Sequence, residues 1–234
     1  MPNLSKRSLE KELLDGEGIA FDEIALNMQE LNTINTLLGG HAISLTGFKS
    51  LVKNRKQISV CEIGCGGGDN LLVILKYCQK KGIAVSLIGV DLNQACIQFA
   101  QTNSKLKDHT QFICSDYSLV QFEEKPDIIF SSLFCHHFNH SELVYQLQWM
   151  QKNSQIGFFI NDLQRNWLAY YSIKWLTQFF SKSRLVKNDA AISVARGFHK
   201  LEWESLFKLA NLKTVRINWK WAFRYLIIYN HAND

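Results

Sequence analysis

Only two of the 234 residues are proline, and neither an internal repeat nor a low-complexity tract interrupts the chain. With 47% hydrophobic residues the composition is that of an ordinary globular protein, long enough for one domain with a full core and a small helical cap. No apolar run reaches the roughly 18 residues of a membrane span. The opening stretch, MPNLSKRSLEKELLD, is too polar to read as a secretory leader. Neither C-x-x-C nor a Cys/His zinc spacing occurs, so no metal site is expected. The cysteines at 61, 65, 78, 96, 114 and 135 read as reduced, mostly buried thiols of a cytoplasmic protein. Acidic and basic residues are nearly balanced, 21 against 26. The net +5 is spread along the chain without a basic stripe, which argues against a nucleic-acid partner.

What is present is concentrated in Ser59–Leu71, SVCEIGCGGGDNL. A β-branched apolar run ends in Glu62-Ile63, glycines follow at 64, 66 and 68, and a densely apolar helical segment begins near Asn70. Glycines at alternate positions let the backbone turn sharply and bring N–H groups against a ligand where a Cβ would clash. A dinucleotide fingerprint needs glycine at the first, third and sixth positions, but the sixth from Gly64 is Asp69, whose carboxylate would repel a pyrophosphate. No Gly-Lys-Ser/Thr follows, which excludes a P-loop. The remaining pattern, E-x-G-x-G-x-G, resembles the first motif of class I S-adenosylmethionine (SAM) methyltransferases.

The expected companions of that motif appear in order. Val85–Val90 ends in Asp91, an acid placed to accept from two ribose hydroxyls, with no Arg behind it for a ribose phosphate. Thr110–Cys114 leads into Ser115-Asp116-Tyr117, and further strands run over 126–131 and Ile156–Ile160. The resemblance implies that Asp116 accepts from the adenine amino group and that Tyr117 packs on the purine. The cofactor residues it implies are Glu62, Gly64, Cys65, Gly66, Gly68, Asp91, Leu92, Asp116, Tyr117 and Leu133, holding SAM before reaction and S-adenosylhomocysteine (SAH) after it.

Residues 1–57 read as a helical N-terminal cap of the same domain, and 58–234 as the methyltransferase domain. Within the cap, Leu9, Leu13 and Leu14 suggest one amphipathic helix. Residues 22–38 suggest a second, stopped by Gly39-Gly40, and 41–52 a third. Strands and helices then alternate, with helices near 70–81, 94–104 and 141–153, which implies a parallel sheet covered on both faces. A helical insert follows strand five, from Arg165 to about Arg184. An amphipathic helix over 199–210 precedes two strands, 213–219 and 222–229, whose short connection favours an antiparallel hairpin. The expected fold is α/β: a Rossmann-like, mostly parallel seven-stranded sheet with its last strand antiparallel.

The acceptor should sit beyond strands four and five, because ligands of open α/β sheets bind at the carboxyl ends of the strands. His136 and His137 follow strand four and are the general-base candidates. A neutral imidazole can take the proton of a phenol whose pKa is about 10. Contact with the cofactor, or capping of the next helix, are the alternative roles for either histidine. The aromatic insert, with Trp167, Tyr170 and Tyr171, would cover an apolar acceptor pocket, pack on the N-terminal helices, or make transient contact with a membrane surface beside Lys182 and Arg184. Residues 31–41, 161–165 and 193–198 resemble a narrower set of bacterial small-molecule methyltransferases, similar to quinone-biosynthesis and hydroxyaryl polyketide enzymes. That resemblance implies O-methylation of a lipophilic phenolic acceptor and places Arg165 and Arg196 in the pocket wall; structural ion pairs with Asp162 and Asp189 are the alternative. C-methylation of a quinone-type ring and a non-catalytic SAM-binding accessory role stay open, as does the oligomeric state.

Overall fold

The computed structural model describes residues 3–16 and 18–233. Seven strands form one sheet: β1 (Gln57–Ile63), β2 (Ala84–Asp91), β3 (Thr110–Cys114), β4 (Ile128–Ser132), β5 (Gly157–Leu163), β6 (Val215–Lys220) and β7 (Arg224–Asn230). Their spatial order is β3-β2-β1-β4-β5-β7-β6. Strands β1 to β5 pair in parallel, and β7 enters antiparallel between β5 and β6. Strand order therefore reverses beside β1, and the crevice of such a sheet opens there, above the carboxyl ends of β1 and β4.

The central strands β1, β4, β5 and β7 are buried on both faces and alternate between two cores. Ile58 and Val60 of β1 share one core with Phe130 and Phe159, under helices α2 (Gly40–Val52) and α3 (Asp69–Lys81). Cys61 and Ile63 face the other, with Ile129, Ile160 and Ile227, under α6 (His140–Asn153) and α9 (Lys200–Leu209). Phe130 and Phe159 stack at 4.6 Å across β4 and β5. Helix α2 rests directly on that pair because Gly47 has no side chain; a Cβ there would lie 2.5 Å from the Phe159 ring. All six cysteines are free, and only Cys114 is exposed.

Four local details depart from the expected layout. Leu9, Leu13 and Leu14 do not build a helix: one 3-10 turn, Leu13–Asp15, interrupts an extended strap, and Leu9 is exposed. The strap's backbone is committed elsewhere, since the N–H groups of Leu13 and Leu14 donate to Asp189 and that of Ser8 to the Ala195 carbonyl. The first full helix is α1 (Phe21–Leu37), ended by Gly39 in the left-handed region, while Gly40 already begins α2. The helix expected over 94–104 is divided into α4 (Gln94–Gln101) and α5 (Ser104–Lys107), because the Asn103 side chain caps the second piece. The insert after β5 holds two helices, α7 (Trp167–Phe180) and α8 (Arg184–Arg196). Ser183 caps α8, and Glu30 of α1 accepts from Ser181 and from the N–H groups of Lys182 and Ser183 between the two.

Candidate active site

A cavity of about 930 Å³ opens over the carboxyl ends of β1, β2 and β4. Its floor is the glycine loop. Gly64 has φ +66°, and a Cβ there would overlap the Phe134 ring, so the loop and the segment after β4 touch only because this residue is glycine. The Cys65 N–H donates to the Val90 carbonyl at 3.0 Å, tying the loop to β2. Asp91 then braces the loop: its Oδ2 accepts from the Gly66 N–H at 2.8 Å and its Oδ1 from the Asn93 N–H at 2.9 Å. Burial raises the Asp91 pKa, and those two N–H groups oppose the rise.

Glu62 is buried at the end of β1. Asn70 Nδ2 donates to its Oε1 at 3.0 Å, and His41 bridges Asn70 and Asn32 at 2.9 Å on each side. Oε2 of Glu62 has no hydrogen-bond partner among the described residues. Burial, with Asp69 and Asp91 nearby, holds this carboxyl well above the usual range despite the Asn70 bond. A buried acceptor left open on a cavity wall is completed by a ligand that brings a cation or a donor. The ammonium group of a bound SAM is such a ligand, so the residues present fit the cofactor that the glycine loop suggests. Asp116, at the end of β3, caps the 3-10 turn Tyr117–Leu119 by accepting from the Ser118 N–H at 2.8 Å. The Tyr117 ring is wedged edge-on against Phe134, Phe138 and Trp149. Glu62, Gly64, Cys65, Gly66, Asp91, Leu92, Asp116, Tyr117 and Leu133 all line the cavity, whereas Gly68 lies beneath it as the residue from which α3 starts.

The two histidines sit in a 3-10 turn, Cys135–His137, and occupy different surroundings. His136 is buried between two carboxylates: Nδ1 lies 2.8 Å from Asp162 Oδ1, and Nε2 lies 3.3 Å from Glu12 Oε1. Burial works against its charge, but Asp162 and Glu12 prevail and push its pKa up to about 9. His136 therefore holds a proton at neutral pH with both nitrogens engaged. Both carboxylates are correspondingly lowered: burial opposes the change, and His136 outweighs it in each case. His137 is partly exposed and lines the cavity. Its Nδ1 lies 3.0 Å from Asp15 Oδ1, while Nε2 is 3.9 Å from Glu12 Oε2, beyond hydrogen-bond length.

Two arginines fix the turn by bonding its carbonyls. Arg196 Nε donates to the His136 carbonyl at 2.9 Å and Nη2 to that of His137 at 2.7 Å; Arg7 Nη2 donates to those of His136 and Phe138. Arg196 also lines the cavity and stands 3.6 Å from Asp15 Oδ2. Arg165 is buried away from it, forked onto Glu202 at 2.8 and 3.0 Å. Neither arginine takes the pairing with Asp162 or Asp189 that the sequence offers as an alternative. Trp167, Tyr170 and Tyr171 also lie outside the cavity lining, on α7.

The cavity wall beyond the cofactor loops comes from the strap and α1: Leu14, Ile19, Ile24, Met28 and Leu31 are apolar, and Lys11 and Asp15 are charged. No sequence pattern singles out Glu12 or Asp15, because their partners lie about 120 residues downstream. Glu12, His136 and His137 also bring ligating atoms within 4.8 Å of one another, the spacing of a metal site. The proton on His136 already supplies positive charge at that point, and a divalent ion would have to displace it.

Residues 60–153 match the family model described as a methyltransferase domain. Among the curated proteins none matches the chain. Similar solved structures include a candidate O-methyltransferase from Nostoc punctiforme PCC 73102, with 12% identity and a TM-score of 0.60 over 87% of this chain and 60% of that one. The plantazolicin methyltransferase BpumL in complex with SAH is similar at 22% identity and 0.62 over 85% and 74%. Human N-acetylserotonin methyltransferase in complex with SAM is similar at 12% identity and 0.64 over 90% and 56%. The chain thus spans about 60% of the Nostoc protein and little more than half of the human one. At these identities the likeness is one of fold. Residues 60–153 thus match a methyltransferase domain, and the fold around them, with a crevice suited to SAM, is that of the SAM- and SAH-bound structures.

Proposed function

We propose that the enzyme methylates a hydroxyl oxygen of a lipophilic aromatic small molecule, with His137 as the group that takes the hydroxyl proton. The observation that carries this reading is the Asp15–His137 pair on the cavity wall, 3.0 Å apart. An Asp15 carboxylate beside Nδ1 keeps the N–H on that nitrogen and leaves the Nε2 lone pair for a substrate proton. His136, already protonated, acts differently: it is the cation shared by the Glu12 and Asp162 carboxylates, and its links to them hold the turn on which His137 is mounted.

Glu62 would hold the ammonium end of the cofactor, Asp91 its ribose, and Asp116 and Tyr117 its base. SAM supplies a methyl carbon that its sulfonium already activates, so alignment and proton removal are the tasks left to the chain. Leu14, Ile19, Ile24, Met28 and Leu31 supply the apolar surface that would bury the acceptor's rings, and Lys11 would orient a polar substituent.

The reading is tested by incubating the protein with methyl-labelled SAM and separate pools of hydroxyaromatics, quinones and RNA, then locating the label by mass spectrometry and NMR. Label on a phenolic oxygen supports the proposal. Label on a ring carbon would move the reaction to C-methylation in the same pocket, and label in RNA would reject a small-molecule acceptor.

A further inference from the structure

Four of the six tryptophans are exposed to solvent, and all four belong to one region. Trp167 and Trp175 stand on α7, and Trp219 and Trp221 at the turn between β6 and β7. The turn is fastened to the start of that helix: Trp219 Nε1 donates to Gln164 Oε1 and the Gln164 N–H to the Phe223 carbonyl, both at 2.8 Å. Helix α7 fully buries only Ala169 and Thr177. At 100° per residue, Leu168, Trp175 and Phe179 fall on the opposite side, with Trp175 and Phe179 stacked at 5.7 Å. Phe179 and Phe180 are 72% and 82% exposed. An exposed aromatic surface of this kind marks a site of contact with something apolar.

The surrounding charge identifies what. Helix α7 contains no acid, and its one charged residue is Lys174. Past its end lies a shallow hollow of about 460 Å³ lined by Gln178, Lys182, Arg184, Lys187 and Asn188. Arg184 is paired with Glu23, while neither Lys182 nor Lys187 has a carboxylate at ion-pair distance among the described residues. The geometry points to an interfacial membrane-binding surface: α7 and the Trp219–Trp221 turn seat their rings at the headgroup level of an anionic bilayer, and the cationic hollow receives a lipid phosphate.

Tryptophan favours that depth because its ring is apolar and its N–H polar. No helix among the described residues is long and apolar enough to cross a membrane. A 14-residue helix is about 21 Å long, so α7 lies along the surface. A second copy of the chain is the poorer occupant, because a twofold face would bring these lysines together with no acid on α7 to meet them. An enzyme so placed reaches lipophilic acceptors where they partition, but the surface is read without reference to the methyl acceptor.

The test is co-sedimentation of the whole protein with vesicles of phosphatidylcholine alone or mixed with phosphatidylglycerol, without methyl donor, so it can fail or succeed independently of the proposed reaction. The expected result is binding to the anionic vesicles that weakens with salt, with a blue shift of tryptophan fluorescence. W175S/F179S should lower the partition coefficient by about tenfold or more. K182E/K187E should abolish the preference for anionic vesicles while circular dichroism and SAH binding stay unchanged. Absence of vesicle binding at low salt would overturn the assignment, as would binding that neither double variant alters. A concentration-dependent dimer in vesicle-free buffer that W175S/F179S disperses would also overturn it, by assigning the face to a second copy.

Discussion

His136→Gln should change how the stability of the protein depends on pH, not only its size. In the folded chain His136 lies between Glu12 and Asp162 with a pKa of about 9; in the unfolded chain an imidazole titrates near 6.5. The folded state therefore keeps a proton that the unfolded state has already shed. The corresponding stability is fully present below about pH 6.5, declines as pH rises, and is lost through about pH 9. Linkage puts it on the order of 3 kcal/mol, with little screening because the ring is buried. Glutamine cannot carry that proton, so the variant should lose the alkaline decline. It should also start lower at pH 6, by about 3–5 kcal/mol, because two buried carboxylates would then share no cation. Urea unfolding of both proteins at pH 6, 7.5 and 9 measures this directly. A wild-type midpoint that is flat over that range, or the same decline in the variant, would refute the charge assignment.

The same reasoning applies at the cofactor end of the cavity. Glu62 is held well above the usual carboxylate range by burial, so a bound ammonium should ionise it and release a proton. SAH calorimetry at mildly acidic pH in buffers of different ionisation enthalpy should detect that release in wild type and not in E62Q. Asp91→Ala removes the acceptor that braces Gly66 and Asn93 and should abolish SAH binding in the same assay without unfolding the chain. Gly64→Ala would force a side chain into the Phe134 ring at φ +66°; weakened SAH affinity and a lowered thermal midpoint are expected, and an unchanged affinity would show the loop contact to be dispensable.

The readable part of this fold was local. Each acid that closes a strand lies beside that strand in sequence, so the family resemblance could point to Glu62, Asp91 and Asp116, and all three lie on the cavity wall. The antiparallel β7 was legible because a short connection leaves a hairpin few alternatives. The strap was not. Its leucines have helical spacing, yet its backbone donors are taken by Asp189 and Ala195, some 175 to 187 residues away, and local propensity carries no trace of such partners. For the same reason Glu12 and Asp15 went unmarked while the adjacent histidines stood out. Arg165 shows a related limit: expected in the pocket wall, it lies outside the lining, and its alternative partner Asp162 is saturated by His136 and the N–H groups of Phe134, Cys135 and Leu163, so the guanidinium turns to Glu202. Aromatic density on α7 suggested a wall of the acceptor pocket, but periodicity alone could not say which way the helix faces, and its rings lie outside the cavity lining.

The measurement closest to the central claim is the single-turnover rate of methyl transfer to a hydroxyaromatic acceptor by wild type and by H137A, each saturated with SAM. The account predicts that H137A binds SAH as tightly as wild type and transfers about a hundredfold more slowly near neutral pH, with the deficit shrinking as rising pH ionises the acceptor unaided. Equal rates at neutral pH would contradict it.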